Sequence, residues 1–199
     1  MVTGAKFSPG WDDMAMRALL AVVMVAAISV SGCAASAVAG HGATGAVSSS
    51  SRPPGTTSPD GRFALTLPPG WSDNSATHPE LAALYTAPVL NGFTVNVNVT
   101  EAQTAATGDL ATYAQEVRGQ LRGVLHITEE SVLEPTHVDH EQAEQYSYKW
   151  VVSGRTLKQR QTIVIHDGRG YVFTYTALAA QYGETLAAAD ALMSSVQWT

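Results

Sequence analysis

Cys33 is the only cysteine of the chain and directly follows Val30-Ser31-Gly32 at the end of an apolar stretch. Small residues immediately before a cysteine are what a lipoprotein signal peptidase needs. The thiol takes up diacylglycerol, and cleavage then leaves the cysteine as the mature N-terminus. The upstream pieces fit, with Arg17 as the positive start and Ala18 to Val30 as an uncharged apolar run. The run to Gly40 is long enough for a membrane span, yet Ser29, Ser31 and Ser36 weaken it and no basic flank follows. Asp12 and Asp13 do not suit the start of a signal, so residues 1–13 are predicted to be a start-site artefact, with translation beginning at Met14 or Met16.

Three other groups of side chains have chemistry to offer. His137-Val138-Asp139-His140-Glu141 would, as a strand, place His137, Asp139 and Glu141 on one face and His140 on the other. Three mixed ligands on a face can hold zinc, but the segment lacks the helical His-Glu-x-x-His spacing and lies beside Pro135. A solvated polar edge is the expectation, and no metal or other cofactor is assigned. Glu129, Glu130 and Glu134 offer paired carboxylates of the kind used on glycosidic bonds, and a charged strand face explains them more simply. No Gly-x-Ser-x-Gly elbow occurs and Cys33 is consumed by lipid, so no catalytic residue is assigned and the chain is expected not to be an enzyme. Asn98-Val99-Thr100 matches a glycosylation sequon of low specificity.

The third group is aromatic. Tyr146, Tyr148 and Trp150 share one strand face, and Tyr171, Phe173 and Tyr175 share another. If their strands pair, these six line one surface. That surface is either sheet core beneath a helix or a groove for a lipid or glycolipid, with Lys149 or Arg160 at its rim. Buried tyrosine hydroxyls need partners, which sets such a surface apart from plain aliphatic core.

The elements that must position these residues follow from composition and period. The 199-residue chain has a formal net charge of −6 and no basic run, which argues against nucleic acid as a partner. Residues 33–59, rich in Ala, Gly, Ser, Thr and Pro, read as the lipidated cysteine and a flexible tether of roughly 25–30 Å. Residues 60–199 remain as one domain, large enough to bury a core without a disulfide.

Within it, Phe63, Leu65 and Leu67 alternate with polar or small residues as a short strand that Pro68-Pro69-Gly70 ends. A strand is expected at Ala82 to Thr86, although Leu81, Leu84 and Tyr85 also have the spacing to line one helical turn. Another runs from Phe93 to Thr100, its Val face buried and its Thr and Asn face toward water or a groove. Leu110, Tyr113, Ala114, Val117 and Leu121 keep helical spacing, with Asp109 as N-cap and Gly123 as stop. Strands at Ile127 to Glu134, about Val138 to Val152, Leu157 to His166 and Gly170 to Ala177 follow. Ser153-Gly154 and Asp167-Gly168 turn the last three. A helix over Glu184 to Val196 closes the chain with Trp198. The expected class is α+β, an antiparallel sheet flanked by helices.

Phe63-Ala64-Leu65-Thr66-Leu67-Pro68-Pro69-Gly70-Trp71 resembles the opening of PsbP-like domains, which include DcrB-type lipoproteins and the actinobacterial LpqN/LpqT lipoprotein family. The strand and helix order, the cysteine motif and the tether extend the resemblance over the whole chain. It implies a PsbP-like α/β/α sandwich on the extracytoplasmic face of the cell membrane or in the outer envelope. It also implies a non-enzymatic accessory or docking role in envelope lipid export or biogenesis. The partners expected are the membrane through Cys33, and an envelope protein complex or a lipid ligand. A Cys33→Ala substitution is expected to move the protein from the membrane to the soluble fraction on cell fractionation; retention in membranes would contradict the tether.

Overall fold

The computed structural model describes residues 55–103 and 108–199; Cys33, the signal region and the tether up to residue 54 lie outside them. The described chain is mostly antiparallel β-sheet with two helices. Seven strands form the main sheet: β3 (Ser72–Asp73), β4 (Ala83–Leu90), β5 (Phe93–Gln103), β6 (Thr128–Val138), β7 (Glu141–Val152), β8 (Arg155–His166) and β9 (Arg169–Leu178). Their spatial order is β3-β4-β5-β9-β8-β7-β6. Helix α1 (Leu110–Val124) links β5 to the far edge at β6, and the meander β6 to β9 then returns to pair β9 with β5.

Three turns set the hairpins of this sheet. Asn91-Gly92, Ser153-Gly154 and Asp167-Gly168 each hold two residues at positive φ, the left-handed pair that joins twisted strands in two-residue hairpins. A fourth turn falls at Asp139, with φ 55°, and His140. One continuous strand from about Val138 to Val152 was the expectation; instead β6 ends at Val138 and β7 starts at Glu141. β6 is an edge strand and mostly exposed. Register shifts at Thr128/Ser131 and Leu133/Thr136, three glutamates and Pro135 keep that edge from templating another strand.

A second, three-stranded sheet has the order β1-β2-β10, made of β1 (Thr56–Thr57), β2 (Phe63–Leu65) and β10 (Gln197–Trp198). Thr56 and Thr57 fall within the segment assigned to the tether, and Ser58 is buried, so order begins earlier than residue 60. Phe63 meets Phe173 edge-on at 5.6 Å and Trp198 at 6.1 Å, which ties the small sheet to the large one. Helix α2 (Tyr182–Ser194) packs on this same side through Tyr182, Ala189 and Leu192.

Helix α1 is capped as the sequence predicts: the Asp109 carboxylate accepts from Thr112 N at 3.0 Å, an interaction of about 1 kcal/mol. It runs past Gly123 to Val124 and buries Ala114, Val117 and Leu121. Near its start, the Tyr113 ring lies over Gly170 of β9, in the space a side chain there would occupy. Burial pushes the Tyr113 hydroxyl well above its ordinary pKa. A Gly170→Ala substitution is therefore expected to cost about 1–3 kcal/mol by overpacking. Most of that cost should vanish in a Tyr113→Ala background, as read by denaturant unfolding of the double-mutant cycle.

Candidate ligand face of the sheet

Residues directly opposite in an antiparallel pair point to the same face, so the register assigns every side chain. Tyr146 faces Gln161 and Tyr148 faces Gln159 across β7 and β8. Gln161 faces Thr174, which in turn faces Asn98; Gln159 faces Thr176, which faces Asn96. Tyr146 and Tyr148 therefore stand on one face with the amides of β5 and β8. On the opposite face, Tyr171, Phe173 and Tyr175 line up with Val164, Thr162 and Arg160. The six aromatics do not form one surface. β8 separates their strands, and residue parity sends the two sets to opposite sides.

The Tyr171 side is apolar core under α2. Val95, Val97 and Val99 are fully buried there, and the Tyr175 hydroxyl donates to Tyr182 O at 2.8 Å. Arg160 pairs with Asp190 of α2, and Lys158 Nζ lies 4.4 Å from the Tyr182 ring centre. Lys149 is on this side as well and pairs with Glu129. Neither Arg160 nor Lys149 rims the Tyr146 face, contrary to expectation.

The Tyr146 side lies under α1 and is unlike a core. Two neighbouring ranks cross four strands: Asn98, Thr174, Gln161 and Tyr146 in one, Asn96, Thr176, Gln159 and Tyr148 in the other. All eight residues are 2% exposed or less. The Thr and Asn side of β5, expected to meet water or a groove, is thus buried, and Asn98 is inaccessible as a glycan acceptor. On one flank stand Val172 and Ile163, on the other Leu178, Leu157 and Trp150.

Little of this polarity is satisfied. Gln159 Nε2 donates to Thr176 Oγ1 at 2.7 Å, and Asn96 Nδ2 donates to Thr94 O at 3.2 Å. The remaining amide oxygens of Asn96, Gln159 and Gln161, both polar atoms of Asn98, Thr174 Oγ1, Tyr148 Oη and Trp150 Nε1 have no partner. Burial pushes the Tyr148 hydroxyl far above its ordinary pKa, so it stays a neutral donor. A buried polar group without a partner costs about 1–3 kcal/mol. Native folds keep such groups only when something else satisfies them. This block is the candidate site.

The ionisable groups at its border are already paired. Arg118 of α1 binds Glu144 at 2.9 Å and lies 5.9 Å from the Tyr146 ring centre. Arg122 binds Glu130 at 2.9 Å, and the same carboxylate oxygen accepts from the Tyr146 hydroxyl. The Arg122 hydrogen bond, with help from Tyr146, holds the Glu130 carboxyl below its usual range. Glu129 and Glu130 are thus committed to different cations instead of facing each other across a substrate.

The histidine cluster is also dispersed, because it spans a hairpin turn and not one strand face. His140 is almost fully exposed, Asp139 accepts from Trp198 N at 3.3 Å, and Glu141 meets His166 Nδ1 at 3.2 Å. Among the described residues no group of three His, Cys, Asp or Glu side chains is placed to hold a metal ion.

With this geometry established, comparison places the chain among known proteins. The DcrB family model matches residues 63–195. The chain belongs to the DcrB family. No curated protein matches the sequence. Among solved structures it is similar to LpqN of Mycobacterium tuberculosis, involved in cell envelope biogenesis, at 15% identity over 73% of this chain and 90% of that one, with a TM-score of 0.50. It is also similar to cyanobacterial PsbP from Synechocystis, at 12% identity over 79% and 98%, TM-score 0.51. The Ran-binding protein Mog1p of Saccharomyces cerevisiae matches at 12% identity over 72% and 94%, TM-score 0.54. The chain spans 48% of a Bacteroides thetaiotaomicron structure, at 12% identity over 73% of this chain and TM-score 0.50. These likenesses concern the fold.

The Tyr146 hydroxyl reports on the α1 border. Burial first, then the Glu130 carboxylate, pushes it up to about 12, from an ordinary value of about 10. Since the raised value favours the protonated form in the fold, its contribution to stability is complete below about pH 10 and is lost as pH climbs toward 12. Ultraviolet difference titration against Tyr146→Phe should show this late ionisation. Glu130→Gln should move it part of the way back, leaving the share due to burial.

Proposed function

We propose that this DcrB-family protein is a non-catalytic accessory of cell-envelope lipid export or biogenesis, held at the extracytoplasmic side of a membrane by lipid on Cys33. On this reading it is an LpqN/LpqT-type lipoprotein with a PsbP-like α/β/α sandwich, α1 on one side and α2 with the small sheet on the other. Its similarity to LpqN, a protein of cell envelope biogenesis, supports the compartment. Among the described residues no helix is long and apolar enough to cross a membrane, which is consistent with anchoring through lipid.

The accessory works by carrying a ligand on the Tyr146 face. The observation that carries this reading is the block of buried polar atoms without partners beneath α1. A docking module would act through a continuous exposed apolar patch. Among the described residues the large exposed apolar ones are Val89, Leu90, Val124, Val132 and Val151, which lie on four different elements.

Native mass spectrometry of the protein taken from its own envelope tests the choice. A stoichiometric non-covalent mass of lipid size is expected, lost under denaturing conditions while the covalent acyl mass on Cys33 stays. A clean mass, together with in-cell crosslinks to one envelope protein, would replace the carrier with the docking module.

A further inference from the structure

We infer that the hairpin tips at one end of the main sheet rest in the headgroup layer of a lipid bilayer and orient the tethered domain on it. The inference rests on the anchoring through Cys33 proposed above and is independent of what the Tyr146 face carries. The first argument is where exposed apolar side chains fall. Val89 pairs with Thr94 and Leu90 with Phe93 where β4 turns into β5, and Val151 pairs with Thr156 where β7 turns into β8. β9 finishes level with both tips, since Leu178 faces Leu157. Helix α1 rises from Tyr113, over Gly170 at the opposite end of β9, to Val124, shortly before Thr128 pairs with Lys149. Val89, Leu90, Val124 and Val151 therefore share one end of the molecule. Among the described large exposed apolar residues only Val132 lies elsewhere, midway along β6.

The second argument is charge. Residues 86–95 and 150–157 contain no acidic side chain, and Arg155 is their one charge. Its Nη1 donates to Gly92 O at 2.8 Å and so links the two tips. A guanidinium has five N–H donors, enough to keep that bond and still meet lipid phosphate. Just below the tips, Glu129 and Glu130 are neutralised by Lys149 and Arg122. The turns at the other end of the sheet carry Asp139, Glu141 and Asp167 against Arg169. A surface of lipid phosphates accepts the first end and repels the second.

The third is the tether. β1 runs antiparallel to β2, with Thr56 beside Leu65, and β2 leads on to Gly70, which lies against Pro88. Gly55 is thus on the tip side of β1. Residues 34–54 separate it from Cys33, and a coil of that length spans roughly 25 Å. The spacing of the tips also selects the occupant. β4 and β7 are four strand spacings apart in the sheet, roughly 19 Å. A rigid protein partner covers a continuous apolar patch, whereas a fluid interface closes around each prong separately.

The test uses the full chain with its lipid on Cys33, reconstituted in vesicles of phosphatidylcholine and phosphatidylglycerol. A nitrobenzoxadiazole label is placed on Leu90→Cys or, at the opposite end, on His140→Cys, Cys33 being blocked by its lipid. The Leu90 label is expected to shift to the blue and to be quenched by doxyl-lipid about threefold more than the His140 label. Val89→Glu with Val151→Glu should remove most of that difference, while Val132→Glu, at an equally exposed site, should leave it intact. Should the paired variant fail to fold, Val89→Thr with Val151→Thr makes a smaller change in the same direction. A Leu90 label as aqueous as the His140 label, in protein that floats with the vesicles, would overturn the inference and leave the anchor standing. Quenching unchanged in both paired variants would overturn it as well. Protein that does not float would remove the anchor and this inference together. In the Cys33→Ala chain without vesicles, a blue shift of the Leu90 label that grows with protein concentration would give the tips to a second copy and overturn the bilayer.

Discussion

The register of four strands, β5, β9, β8 and β7, decides what this molecule is. Side chains alternate with period two, so a slip of one residue would exchange the entire contents of the two faces. Ser153-Gly154 and Asp167-Gly168 prevent the slip, since their paired positive φ values accept only a two-residue hairpin between fixed partners. With those turns in place, Phe173 lies with Val99 beneath the small sheet, and Thr174 lies with Asn98 beneath α1. Stability on one side and polarity on the other are both consequences of that single alignment.

The two faces divide the physical work. Val95, Val97, Val99, Phe63 and Phe173 bury apolar area continuously with α2 and the C-terminal strand, and the hydrophobic drive for folding is concentrated there. The α1 face has apolar flanks but a polar centre, and its helix is tied to the sheet margin by ion pairs as well as by Val117 and Leu121. Arg118 and Arg122 stand one helical turn apart and reach different strands, Glu144 on β7 and Glu130 on β6. The Arg122–Glu130 pair is exposed and adds little energy, whereas Arg118–Glu144 is part-buried. Their effect is to fix where α1 lies across the sheet, and hence which ranks it covers.

Much of this was legible in the residues. The alternation of Phe93 to Val99, the 3-4-7 stripe of α1, its Asp109 cap and the two glycine turns each rest on local chemistry, and each lies where that chemistry puts it. The aromatic surface was misread because two correct local patterns, Tyr146-Tyr148-Trp150 and Tyr171-Phe173-Tyr175, were joined without knowing the parity between their strands. That parity depends on β8 lying between them, a non-local fact. The continuous strand expected from about Val138 to Val152 failed for a related reason: Asp139 adopts positive φ without a glycine partner, so the turn carries no strong sequence signal. Gln159, Gln161, Thr174 and Thr176 drew no attention, because an alternating polar residue in a strand ordinarily means solvent. Their shared parity with Asn96 and Asn98 emerges only once the strands are aligned.

The same reasoning explains why similarity of fold leaves function open. LpqN, cyanobacterial PsbP and Mog1p share the architecture at 12–15% identity, which leaves nearly every face-lining position free to differ. A scaffold of this kind specifies where a rank of side chains stands and says nothing about its chemistry. In this chain the ranks at the centre of one face are amides and hydroxyls, at positions where a sheet built only for stability would hold valine and isoleucine. Replacing paired polar groups with well-packed apolar ones is often neutral or better for stability, so these amides and hydroxyls stand against the preference of a core built for stability alone.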